Sequence, residues 1–137
     1  MPNLDRIAAA LNAYPWARGC LTSMAGDVPR YCAVGGLLRY AGVSFDDIRQ
    51  SSGSPSAVWR AFSEALHDEY AIDDAQTLRF IMIANDSSPS RDVAIARVLG
   101  VLDGSVDLLQ DRLAMEWLGR YCAGAGRGAG VEATEAA

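Results

Sequence analysis

Cys32, His67 and the adjacent pair Asn85-Asp86 follow one another along the chain in the order thiol, imidazole, amide or acid. That order suits a cysteine-dependent hydrolase or transferase. The thiolate attacks, the imidazole takes its proton, and a side-chain oxygen orients the ring through its second nitrogen. His67 is the only histidine, so such a scheme has no other base to draw on. Cys32, His67 and Asp86 are therefore the catalytic candidates. Trp16, Gly35, Gly36, Arg39, Asn85 and Asp86 are the candidate binding residues, because they surround the same stretches.

Chain order alone is weak, since such triads are recognised by geometry. The residues around Cys32 lack the papain-type signature, and His67 is followed by Asp68-Glu69, the ordinary setting of a solvated histidine. No metal is expected. The carboxylates at Asp46-Asp47, Asp68-Glu69 and Asp73-Asp74 are adjacent pairs, which point in different directions on a helix. Neither an EF-hand loop, a Walker loop nor a dinucleotide fingerprint is present, so no cofactor is expected either.

The segment that must position Cys32 is Pro29-Arg30-Tyr31-Cys32-Ala33-Val34-Gly35-Gly36-Leu37-Leu38-Arg39-Tyr40-Ala41-Gly42. Two glycines inside an apolar helical pattern each cost about 1 kcal/mol relative to alanine, which calls for close approach by a neighbour. With Asp27 as N-cap, Pro29 in the first turn and Gly42 as the stop, a helix is predicted over Val28–Ala41. Cys32 would then lie in its first turn, where free amides and the macrodipole favour the thiolate. The alternative is plain packing, because an unpaired cysteine usually behaves as a small buried apolar residue.

Around this helix the chain reads as further helices. Asn3 caps a first one, with Leu4, Ile7, Ala8 and Leu11 on one face, and Tyr14-Pro15 ends it. Residues 15–27 read as a loop anchored by Trp16. Ser44 and Ser54 are the next caps, and Asp73 or Asp74 caps a segment whose period over Thr77–Ala84 fits either a helix or a short buried strand. A lone strand would have no ladder partner, which favours the helix. Ser88 before Pro89 is expected to cap the following helix, which stops at Asp103-Gly104, and Ser105 to begin a last one. Its apolar residues, among them Leu108, Leu109, Met115 and Trp117, cover more than one stripe and suggest a homodimer contact through residues 105–122.

The chain has 137 residues, half of them apolar, and a net charge of -5. This fits one helical domain over 1–123, with 124–137, rich in Gly, Ala and Glu, expected to be disordered. All 12 basic residues are arginines scattered singly, which argues against a nucleic-acid partner. Neither a secretory signal nor an apolar run long enough for a membrane is read, and the odd count of 3 cysteines without a CxxC pair fits reduced thiols, so a cytoplasmic location is expected.

Trp16, then Tyr31-Cys32-Ala33-Val34-Gly35-Gly36-Leu37, then Ala84-Asn85-Asp86 resembles a small uncharacterised bacterial and phage family. It is marked by a tryptophan, a Cys-x-x-Gly-small-Leu helix and a later Asn-Asp pair. The resemblance covers most of residues 3–110, and Gly36 stands where alanine is more usual. It implies that Trp16, Cys32, Gly35, Asn85 and Asp86 are the defining positions, and it carries no established activity.

The expected architecture is an all-α, single-domain bundle of about five or six helices around the glycine-bearing one. The expected role is that of a small acidic protein-interaction module of phage or accessory type, binding another protein without catalysis. A cysteine hydrolase using Cys32 and His67, and a small-molecule-binding helical domain, are the alternatives.

Overall fold

Each helix of this protein opens on a side chain that accepts a hydrogen bond from an otherwise unpaired backbone N–H, and these caps mark out the architecture. In the computed structural model, which describes residues 1–121, Asn3 caps α1 (Leu4–Asn12), Cys32 caps α2 (Ala33–Tyr40) and Ser44 caps α3 (Phe45–Gln50). Ser54 caps α4 (Pro55–Tyr70), Asp74 caps α5 (Ala75–Asp86) and Ser90 caps α6 (Arg91–Asp103). The last helix among the described residues, α7, occupies 112–121, and Asp111 Oδ2 accepts from Ala114 N–H at 2.9 Å at its start. The expectation of disorder over 124–137 lies outside the described residues, as does Cys122.

The fold is helical but not purely so. Between α1 and α2 an antiparallel hairpin pairs β1 (Thr22–Ala25) with β2 (Val28–Tyr31). Its two-residue connection is Gly26-Asp27, of which only Gly26 takes a positive φ, the pattern of a II′ turn. The helix predicted over Val28–Ala41 therefore begins five residues later than expected, at Ala33. Val28–Tyr31 finds ladder partners across the hairpin, and Tyr31 also exchanges backbone bonds with Pro15 and Ala17 at 2.8 and 2.9 Å. These nonlocal partners outcompete a helical first turn led by Asp27 and Pro29. Two further starts also differ. The helix after α5 is capped by Ser90 and not Ser88, and residues 105–111 form turns before α7.

α2 is the centre of the core. Every residue from Ala33 to Leu38 is buried, and Val34, Leu37 and Leu38 pack with Ile7, Leu66, Tyr70, Leu78 and Ile81. The paired glycines do different jobs. A Cβ on Gly35 would lie 2.0 Å from the carbonyl oxygen of Leu21, so the chain leading into β1 crosses α2 at backbone distance. A Cβ on Gly36 would meet nothing closer than 3.7 Å, the carbonyl oxygen of Ala10. At the C-terminal end of α5 Arg97, buried on α6, donates Nη1 to the Ala84 carbonyl at 2.9 Å and to Ser88 Oγ at 2.6 Å, while Nη2 pairs with Asp111. Burial works to raise the Asp111 pKa. The Ala114 amide and the Arg97 guanidinium outweigh it and hold the carboxyl below its usual range, so the pair fastens the segment before α7 to α5 and α6.

This asymmetry sets a paired test. Gly35→Ala should destabilise the protein by about 3 kcal/mol or more, since backbone has to move, whereas Gly36→Ala should stabilise it by about 1 kcal/mol through helix propensity. Urea denaturation of the two variants beside the parent gives both values, and equal effects would contradict the packing described.

Candidate functional site

Asn85 sits in the last turn of α5, 1% exposed, with its carboxamide directed at the start of α2. Oδ1 accepts from Trp16 Nε1 at 2.8 Å and from Ala33 N–H at 3.1 Å. Nδ2 donates to the Ala17 carbonyl at 3.2 Å and to Asp86 Oδ1 at 3.1 Å. Both lone pairs and both hydrogens are used, which is the full capacity of an amide side chain. Asp86 in turn accepts from Gly19 N–H at 2.9 Å through the same Oδ1. The Asn-Asp pair thereby orders the Trp16–Gly19 stretch, which carries no regular secondary structure, across the N-terminus of α2.

Cys32 lies at that same N-terminus, 5% exposed, and its Sγ accepts from Gly35 N–H at 3.3 Å. Its backbone N–H donates to the Leu21 carbonyl at 3.1 Å. The expected depression of its pKa is reversed. Burial, with the negative field of Asp86 as the next contribution, pushes the thiol up to about 12, against the lowering effect of the Gly35 and Val34 amides. Cys20, half-buried nearby, is also raised, chiefly by burial.

His67 is elsewhere. It lies in the last turn of α4 with its side chain 63% exposed, and its Nδ1 and Nε2 face Asp68 at 3.8 Å and Asp73 at 3.4 Å. No hydrogen bond joins it to Cys32 among the described residues. The Cys32, His67, Asp86 triad is therefore not assembled: the thiol and the acid are neighbours, and the only imidazole points to solvent from another helix. Arg39 stands half-exposed in the last turn of α2, and Arg30 is exposed on β2. Neither bonds to Asp86, whose attractive field comes from Arg18. Gly35 is covered by Leu21, and Gly36 faces Ala10, Tyr14 and Tyr31, so these two positions serve packing.

Beside Asp86 the surface opens into a groove of about 730 Å³. Its walls come from the Gly19–Thr22 stretch with Cys32, residues 51–54 and the first turn of α4, the Arg79–Asp86 face of α5, and Trp117, Leu118 and Tyr121 of α7. Trp117 and Tyr121 are stacked there with ring centroids 5.4 Å apart. The sequence singled out Asp86 for this site, offered Trp117 only as part of a homodimer contact, and did not mark Arg79. The one signal available was the i, i+3, i+4, i+7 spacing of Arg79, Met82, Ile83 and Asp86 on one helix face. No group of three or more potential ligands that could hold a metal ion occurs among the described residues, and no helix among them is long and apolar enough to cross a membrane. A comparison with protein-family models, with curated proteins and with solved structures finds no match.

Two outcomes test this site. Asn85→Leu should cost about 3 kcal/mol or more, because the Ala33 and Trp16 donors are then buried without an acceptor; a loss below about 1 kcal/mol would contradict the hub geometry. Asp86 has its pKa raised, first by burial, against the Gly19 and Asn85 hydrogen bonds and Arg18. A raised carboxyl binds its proton more tightly in the folded than in the unfolded chain. Its contribution is thus most favourable below the unfolded value, near 3.9, and is lost as pH rises through the folded one. The melting temperature of Asp86→Asn minus that of the parent should therefore be more positive at neutral pH than at about pH 4; a pH-independent difference would refute the assignment.

Proposed function

We propose that this protein is a binding domain whose ligand sits in the groove between α5 and α7. The observation that carries this reading is the groove itself. About 730 Å³ lies within the size range of small-molecule sites, and its lining combines apolar side chains with a few charged ones. Asp86 reaches it from the end of α5 and Cys20 from beside the stretch that Asn85 and Asp86 hold in place, so a hydrogen-bonded framework backs one wall. The small-molecule reading thus takes precedence over the interaction-module reading.

A second reading has its own support. Leu109 is 78% exposed and Met115 49% exposed, next to the turn that leads into α7, and two such apolar side chains suit contact with another protein or with a second copy of this chain through residues 105–121. Leu109 and Met115 are not among the residues that line the groove, so the two readings are compatible.

Nile red, a neutral apolar dye, tests the groove. One saturable site is expected, with blue-shifted emission, and Ile83→Trp, which fills the groove, should weaken binding by at least about tenfold while leaving the far-UV spectrum unchanged. Unsaturable binding, or equal binding by the variant, would overturn the reading.

A further inference from the structure

The two oxygens of Asp86 are used unequally. Oδ1 accepts from Gly19 N–H at 2.9 Å and from Asn85 Nδ2 at 3.1 Å, whereas Oδ2 accepts no hydrogen bond from the described residues, and the residue lines the groove. Arg18, whose charge acts on Asp86, sends its Nη1 to the Ser88 carbonyl at 3.1 Å. A half-buried carboxylate in this position gains most from a cationic N–H donor arriving through the groove.

The same helix face continues in a graded order. Arg79, Met82, Ile83 and Asp86 all line the groove, and Arg79 makes no ion pair with the described residues. Arg79 and Asp86 are seven positions apart, which is two turns, or about 10 Å along the axis. One wall thus presents a cation, an apolar centre and an anion in line, and the stacked Trp117 and Tyr121 rings of α7 add apolar surface to the same groove. Arg49, half-committed to Asp46 at 3.6 Å, adds positive charge to the groove lining.

We propose that the groove takes an elongated zwitterion, with a protonated amine against Asp86 Oδ2, an anionic group toward Arg79, and an apolar body between them over Met82 and Ile83. This rests on the groove being the binding site, and it adds the class of ligand. A neutral apolar molecule would leave both charged ends unpaired. A simple anion would meet Asp86 as a like charge.

The probe is 8-aminooctanoate, whose extended length matches the separation of the two ends, used to displace Nile red from the full-length chain. Octylamine, octanoate and octan-1-ol are the single-ended and neutral controls. The zwitterion should displace the dye at a concentration at least about tenfold below that of octan-1-ol. Asp86→Asn, which retains an oxygen for Gly19, should remove this advantage for both amines and, by removing a like charge, strengthen octanoate. Arg79→Gln, at an exposed position, should weaken 8-aminooctanoate and octanoate several-fold and leave octylamine unaffected. Should all four compounds displace the dye equally, or Arg79→Gln weaken octylamine as much as the zwitterion, the ligand class is wrong while the groove stands. Should Nile red itself fail to saturate one site, the groove reading falls, and the ligand class with it.

Discussion

A single carboxamide holds the centre of this protein together. Asn85 is buried, and burying an amide is tolerable only when its polar atoms are paired. Here the pairing joins three pieces that share no regular ladder: the last turn of α5, the first turn of α2, and the stretch through Trp16 and Ala17. Aspartate at this position would lack the two donors, and leucine would lack everything. Only a short side chain that both accepts twice and donates twice satisfies all four neighbours at these distances.

The thiol follows from that arrangement. A cysteine at a helix N-terminus is commonly read as activated, because unpaired amides and the macrodipole stabilise its anion. In this protein the Gly35 and Val34 amides do pull the thiol's pKa down, but not enough to offset burial. Ala33 N–H goes to Asn85, and Gly35 N–H goes to the sulfur itself, as a cap. The dipole is worth about 0.3–1 kcal/mol at a surface, while full burial can shift a pKa by several units, so desolvation wins. Asp86, oriented by Asn85, adds its own negative field in the same direction. Cys32 is thus a capping and packing residue at the edge of the groove, and the Asp86 carboxylate beside it lines the same groove.

The groove exists because segments far apart in sequence are fastened at its two ends. On one side the Asn85 and Asp86 bonds set the 16–19 stretch, and the crossing of Leu21 over Gly35 fixes the path into the hairpin. On the other, Arg97 links the end of α5 to Asp111, which caps α7 and so places Trp117 and Tyr121 opposite the α5 face. Both fastenings start from the C-terminal half of α5. That helix supplies the framework with its buried side and the groove with its Arg79–Asp86 side.

Local signals were sufficient at most positions where the deciding interaction is local, the Ser90 cap of α6 being an exception. Asn3, Ser44, Ser54 and Asp74 are legible as caps because each bonds an amide three residues on, and the burial of Ile7, Leu66, Leu78 and Ile81 follows from helical spacing. The glycine pair likewise announced a close approach, and Asn85-Asp86 stood out as polar residues closing an apolar helix. Tertiary structure decided the rest. Val28–Tyr31 became a strand because its partners lie across a turn and in the Pro15–Ala17 stretch, and no local preference encodes a nonlocal ladder. The neighbours of Cys32, the separation of His67 from it, and the meeting of Asp86 with α7 are distances between segments brought together only by packing. Residue types along a chain state which groups need partners, and the folded core alone assigns the partner to each.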